Sequence, residues 1–386
     1  MSSVVNVQIL IIGGGAIGLS LARELKKRDV EKIAVIEKNS ACGTEASFAA
    51  AGMLAPQSEA DCADEFFNFC SESRDLYPQF AAAIFDETGV DIELDQSGTL
   101  YLAFDEKEAA ELEKRFAWQT KANLPIEKLS REEILKLEPH VSPQVVFGLF
   151  FPNDWQVENR QLMTALQKFA GASDIEIFNQ TEIKNLLIEN GKIAGAETGD
   201  RKFLASKVVL ATGAWTSLIK IGNDDSPLNI APARGQMLCF YAAEKLFSKV
   251  IYTTHGYIVP RRDGRILAGA TVENVGFDKS VTADGKNFLR RRAFEIAPRL
   301  ENFEITKSWA GLRPLAADGL PVLGGISGIE NLFAATAHYR NGILLAPKTA
   351  EILADKLVEN SASEYLEIFS PRRFRSAAGK TFINRR

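Results

Sequence analysis

Three short stretches carry residue types suited to chemistry. The first is Gly13-Gly14-Gly15-Ala16-Ile17-Gly18, a glycine run directly after the apolar segment Val7 to Ile12. Its spacing matches G-x-G-x-x-G, in which backbone N–H groups come close to a phosphate. The second is Trp309-Ala310-Gly311-Leu312-Arg313-Pro314. A guanidinium is planar, always charged and forked, so Arg313 can grip a carboxylate through two parallel hydrogen bonds, or serve a structural salt bridge. The third is His338-Tyr339-Arg340-Asn341-Gly342, running into Ile343-Leu344-Leu345. Alone, it reads as a polar cluster capping an apolar helix, with Asn341 and Gly342 at the helix start.

A glycine run means little without the elements that must hold it. Val7 to Ile12 is short, apolar and β-branched, as in a central parallel strand. Leu19 to Arg28 has helical periodicity, and KIAVIEK is a second buried strand ending in Glu37. Strand, glycines, helix, strand and acid in that order predict a Rossmann-like site for an ADP-containing dinucleotide. Gly13 permits the tight turn, Gly15 the close approach of backbone to pyrophosphate, and Gly18 the packing of helix on strand. The helix start at Ala16 and Ile17 offers free N–H groups and a positive dipole end. Glu37, with Lys38 beside it, is placed for the adenosine ribose, and an acid there disfavours the 2′-phosphate of NADP.

After Glu37 the chain does not continue as a simple NAD dehydrogenase would. A small-residue stretch, Ala46 to Gly52, follows at once and suits close passage beside a bulky flat cofactor. Ser47, Ala50 and Ala51, with Gly52 and Met53 after them, are candidate contacts; an ordinary small-residue helix start is the alternative. Further on, a hairpin-rich insertion returns to a buried strand, Val208 to Ala211, that ends in Thr212-Gly213-Ala214-Trp215. Thr212 and Gly213 would supply a second glycine turn near the same dinucleotide. Ile183, in the strand before the Asn190-Gly191 turn, is expected beside adenine.

At 386 residues the chain exceeds what one core usually serves, so two domains are expected. Hydrophobic content of 46% and charged content of 25% suit a globular protein, and a net charge of −5 gives no case for nucleic acid or an anionic membrane. Cys42, Cys62, Cys70 and Cys239 form no CxxC pair, and there are only three histidines, so no metal site is expected. The first residues lack a basic region and a cleavage site, and no uncharged apolar run reaches spanning length; a cytoplasmic protein is expected.

Leu94 to Phe151 and Ile230 to Leu323 interrupt the nucleotide-binding pattern with alternating strand-like runs such as GTLYLAF, GQMLCFYA and RILAGAT. The expected division is a discontinuous nucleotide domain (1–93, 152–229 and 324–370) interleaved with a substrate domain (94–151 and 230–323). A helix from Glu106 is placed on the edge of the substrate sheet. The basic end, 371–386, is read as a flexible tail.

Taken together, GGGAIG, EASFAAAGML, ATGAW, HGYIVPRRDGR, WAGLRP, DGLPVLG and HYRNGILLAP occur in an order that resembles the D-amino-acid-oxidase-like flavoproteins. Within them the chain looks like the glycine oxidases of thiazole (thiamine) biosynthesis. One departure is Ala337, where that family often has glycine. The resemblance implies an α/β fold with an antiparallel substrate sheet roofing an FAD, and non-covalent binding is expected because the last cysteine, Cys239, precedes the flavin-facing motifs. It implies that Arg313 holds a substrate carboxylate, that Tyr257 adds a phenolic donor (or is a core tyrosine), and that Arg340 lies near both carboxylate and flavin. Val272 would line a small pocket with His255 near it. His338 to Leu344 would clamp the far end of the flavin. The implied reaction is oxidation of glycine, sarcosine or small D-amino acids by hydride transfer from Cα to flavin N5, with O2 reduced to H2O2. No residue is assigned as acid or base, because hydride transfer from a neutral amine needs none at Cα. The family suggests a homotetramer. A quinone-linked D-amino acid dehydrogenase and a non-catalytic FAD module are the alternatives.

Overall fold

The computed structural model describes residues 3–221, 226 and 228–374. The first strand, Ser3–Ile12, lies between Ile33–Ile36 and Arg201–Leu210 and runs parallel to both. Leu332–Thr336 and Glu176–Phe178 extend this parallel core outward. A hairpin, Asn185–Glu189 with Lys192–Glu197, adds antiparallel to Arg201–Leu210. Leu10, Ile11, Ala34 and Val35 are wholly buried, because helices cover one face of the sheet and the hairpin region the other.

The first helix, Ala16–Lys26, starts earlier than its apolar periodicity suggests because Gly15, in extended conformation, is its N-cap. It ends before Arg28, which turns out to pair with Glu24 and Asp355. Ile183 is not in a strand: the strand begins at Asn185, and Ile183 sits buried in the segment leading into it.

The second sheet has eight strands, in the order Ile305–Ala316, Ile230–Tyr241, Arg265–Gly269, Gly256–Pro260, Val250–Thr253, Thr99–Ala103, Phe147–Phe151 and Glu127–Ser130. It is antiparallel except at one seam, where Val250–Thr253 runs parallel to Thr99–Ala103. That seam joins the two sequence segments of the sheet. No hairpin links these strands, so nothing forces them to run in opposite directions.

Side chains alternate across this sheet. Leu238, Phe240, Ile258 and Ile266 pack under the Ala283–Ile296 helix, whereas Met237, Cys239, Val259 and Leu267 face the other way, with Met53 and Tyr257. The Glu106–Lys121 helix packs through Leu112 on a face formed by Tyr101, Phe147 and Leu149, not on the sheet's edge. The tail expectation is corrected at its start. Pro371–Phe374 forms a 3-10 turn with Pro371 buried, and Arg373 pairs with Asp318 at 2.6 Å. Residues 375–386 lie outside the described residues. Among the described residues no helix is long and apolar enough to cross a membrane.

Candidate active site

One long cleft runs between the two sheets. At one end, Gly13 closes the first strand: its N–H donates to Ile36 O at 2.8 Å, in a conformation (φ +113°) that suits glycine. A Cβ on Gly13 would stand 2.3 Å from Ala211 O, and one on Gly18 would stand 2.0 Å from Gly13 O. Gly14 passes equally close over the Cys42 sulfur. That thiol is buried and pushed up to about 12, hence inert. Beside Gly15 the nearest atom to a notional Cβ is Ser47 Oγ at 3.4 Å, so the backbone is open toward the cleft. The Ala16–Lys26 helix has no side-chain cap hydrogen bond, leaving its N-terminus available to an anion.

Glu37 is held in place before any ligand arrives. Its carboxylate accepts from Gly14 N–H at 3.1 Å and Asn39 N–H at 2.8 Å. Lys38 lies 3.5 Å over the Trp215 ring, and burial lowers its pKa. Lys279, from the second sheet's loops, pairs with Glu45 at 3.0 Å across this end of the cleft.

In the middle, the Ala46–Ala49 turn fills a tight space. Ser47 Oγ accepts from Ala16 N–H at 3.0 Å, and Trp309 Nε1 donates to Ala49 O at 3.1 Å. A Cβ on Gly311 would meet Ala49 Cβ at 2.4 Å, which accounts for small residues on both partners. Next to it, the buried Arg261 donates to Ala51 O at 2.7 Å and fixes the approach to Gly52 and Met53. Opposite, the Gly342–Glu359 helix also lacks a side-chain cap at its cleft-facing start. Pro347 cannot donate to Ile343 O, and the Tyr77 hydroxyl does so instead at 2.5 Å, while Ser73 Oγ donates to Leu344 O at 2.7 Å.

At the far end Arg313 lies flat over Gly235, where a Cβ would be 2.3 Å from the guanidinium, and it donates to Thr271 O at 3.0 Å. The Tyr257 hydroxyl lies beside Arg313, and burial raises its pKa, so it stays a donor. Arg340 stays charged: burial opposes its charge, but Glu59, Tyr252 and Tyr339 outweigh this and raise its pKa. Among the described residues neither arginine makes an ion pair. His338 is buried and accepts from or donates to Thr349 Oγ1 at 3.1 Å; desolvation lowers its pKa to about 3, so it remains neutral.

The cleft thus gathers Gly13, Gly15, Ala16, Ile17, Glu37, Lys38, Ser47, Ala50, Ala51, Gly52, Met53, Ile183, Thr212 and Gly213 with Tyr257, Val272, Arg313 and His338 to Ile343. His255 lines its rim, exposed, with Nε2 3.8 Å from Glu108. Gly18 and Leu344 do not line it: Gly18 packs helix on strand, and Leu344 is wholly buried. Sequence reasoning missed Glu45, Glu59, Trp215, Met237 and Tyr252, which also line it. Trp215 stands in the second glycine turn, a signal that was available; Tyr252 and Glu59 carry no local motif.

These residues fit FAD. Two uncapped helix starts, a tight turn at Gly13 with no room for a Cβ, an open backbone at Gly15, and an anchored acid at the ribose end suit a long, twice-phosphorylated ligand. The comparisons agree. The FAD dependent oxidoreductase (DAO) family model matches residues 8–356. The chain is 35% identical over 361 residues to a glycine oxidase of Geobacillus kaustophilus, covering 92% of this chain and 94% of that protein. A crystal structure of glycine oxidase from Geobacillus kaustophilus superposes with a TM-score of 0.89 at 34% identity, covering 95% of this chain and 98% of that one. A bifunctional protein ThiO/ThiG of Trichormus variabilis is 36% identical over 97% of this chain, which spans only 56% of that longer relative. The chain is an enzyme of the FAD-dependent oxidoreductase (DAO) family.

Proposed function

We propose that this enzyme oxidises glycine, and with it sarcosine or small D-amino acids, to the imine, which water hydrolyses to the 2-oxo acid and the amine (glyoxylate and ammonia from glycine). The observation that carries this reading is the far end of the cleft: two arginines without ion-pair partners and a phenolic donor, in a family whose cofactor does redox chemistry. FAD, when bound, supplies the acceptor for the hydride leaving Cα and passes the electrons on to O2 as H2O2. The chain's residues do the placing. Arg313 and Tyr257 hold the substrate carboxylate by charge-assisted hydrogen bonds. The flat seat over Gly235 fixes the plane of the guanidinium, and Met53 and Met237 exclude water nearby. The start of the Gly342–Glu359 helix turns its positive dipole end toward charge that develops at the cofactor.

The glycine oxidase and ThiO/ThiG relatives support this substrate and a place in thiazole (thiamine) biosynthesis. A cytoplasmic homotetramer belongs to the same proposal, with light scattering as its check. The central experiment is a substrate panel with peroxide release. Glycine is expected to give peroxide. Inactivity toward glycine, sarcosine and D-alanine alike would overturn the reading, and reduction of an added quinone without peroxide would change the acceptor.

A further inference from the structure

The far end of the cleft contains one carboxylate that the reading above does not use. Glu59 lines the cavity at the end of the short Pro56–Glu59 turn, half-buried, and faces Arg340, Tyr252 and Tyr257 closely enough to bias their charge. Among the described residues its carboxylate accepts no hydrogen bond and makes no ion pair.

The turn that carries it is, by contrast, heavily anchored. Asp154, wholly buried, accepts from Gln57 N–H at 3.1 Å, Ser58 N–H at 2.7 Å and Ser58 Oγ at 2.6 Å. Gln119 and Gln57 exchange two further bonds: Gln57 Nε2 donates to Gln119 Oε1 at 2.9 Å, and Gln119 Nε2 donates to Gln57 O at 2.8 Å. Arg115 donates to Gln57 O at 3.2 Å and also to Ala60 O. A surface turn needs none of this. Asp154 on one side and the Glu106–Lys121 helix on the other, through Arg115 and Gln119, hold a four-residue turn in one place, and the side chain it presents to the cavity is left without a partner. Supporting groups of this kind are what a binding side chain requires to keep its geometry.

The charges point the same way. Arg313 and Arg340 are two cations, and Glu59 is an anion that lines the same cavity and faces Arg340. A plain carboxylic acid needs only the arginines. An amino acid at neutral pH carries an ammonium group as well, and desolvating that group without an anion beside it is costly. We propose that Glu59 receives the substrate's amine nitrogen, which makes the cleft selective for amino acids over carboxylic acids of the same size. This rests on the amino-acid oxidase reading and names the specificity residue for it.

The test uses the FAD-loaded enzyme, wild type and Glu59→Gln, without oxygen. Glycine and acetate affinities are both read from the flavin spectrum. Loss of a charge-assisted contact is expected to weaken glycine about tenfold or more, while acetate stays within about twofold. Glu59→Asp, which keeps the charge, is expected to recover most of the glycine-to-acetate ratio. An unchanged ratio in Glu59→Gln overturns the proposal, whether both ligands are unaffected or both weaken equally, since equal weakening marks a structural role. Glycine that binds without reducing the flavin would refute the oxidase reading, yet the ratio would still judge Glu59.

Discussion

The two ends of the cleft are built on different principles. At the phosphate end the ligand-facing groups are largely backbone atoms from one contiguous stretch, Gly13 to Ile17, with Glu37 pinned under them. At the substrate end they are side chains from four separated segments: Glu59, Tyr257, Arg313 and Arg340. Backbone donors tolerate little change around them, because there is no side chain to rearrange. Side chains on separate segments can be removed one at a time. The difference predicts that damage at the first end is all-or-none, whereas damage at the second is graded and leaves the cofactor bound.

The largest effect is expected from Gly13→Ala. The new Cβ meets Ala211 O at 2.3 Å in a backbone conformation hostile to side chains, so the protein should purify without flavin or fail to fold. Normal flavin content would end the all-or-none argument. Arg313→Ala comes next. The glycine KM should rise about 100-fold, the scale of a lost charged pair, with flavin content unchanged. If this variant also lost its flavin, the two ends would be coupled and the comparison would break.

A smaller effect concerns His338, which lines the far end of the cleft. Its imidazole titrates at about 3 in the folded protein and near 6.5 when unfolded. Between those values the unfolded chain holds more protons, so stability is full above about 6.5 and falls as pH drops. At pH 5 the loss should be about 2 kcal/mol relative to pH 8. Chemical denaturation of His338→Gln should lack that component; an equal loss in the variant would place the proton uptake elsewhere.

The smallest effect is at Ala337, which the structure holds at φ +59°, fully buried. Glycine there relieves about 1–2 kcal/mol of left-handed strain, offset by lost methyl burial and added chain entropy of similar size. Ala337→Gly should therefore raise stability by at most about 1 kcal/mol. A loss above that would mean the methyl group's packing outweighs the strain.

Much of the phosphate end was legible because its signal is local. Gly13, Gly15, Gly18 and Glu37 act through positions adjacent in the chain, and an apolar strand with a following helix can be recognised by period alone. Arg313 and Arg340 were legible through their flanking residues and the family those residues resemble. Glu59 was not. Its sequence context, Pro56-Gln57-Ser58-Glu59, looks like any polar turn, and only the distant Asp154, Gln119 and Arg115 give it a fixed direction. Ile183 lines the cleft from the segment before the strand rather than from within it, since a strand's first residue depends on its pairing partner.

The sequence by itself determined the first strand, its glycine turn and the following helix, which follow from neighbours within a few residues, and the cofactor class, which follows from motifs in a family order. Tertiary structure alone decided the parallel seam between Val250–Thr253 and Thr99–Ala103, the packing of Gly311 on Ala49, and which charged groups share the substrate end. Those outcomes depend on contacts between residues that lie more than a hundred positions apart, where local periodicity carries no information.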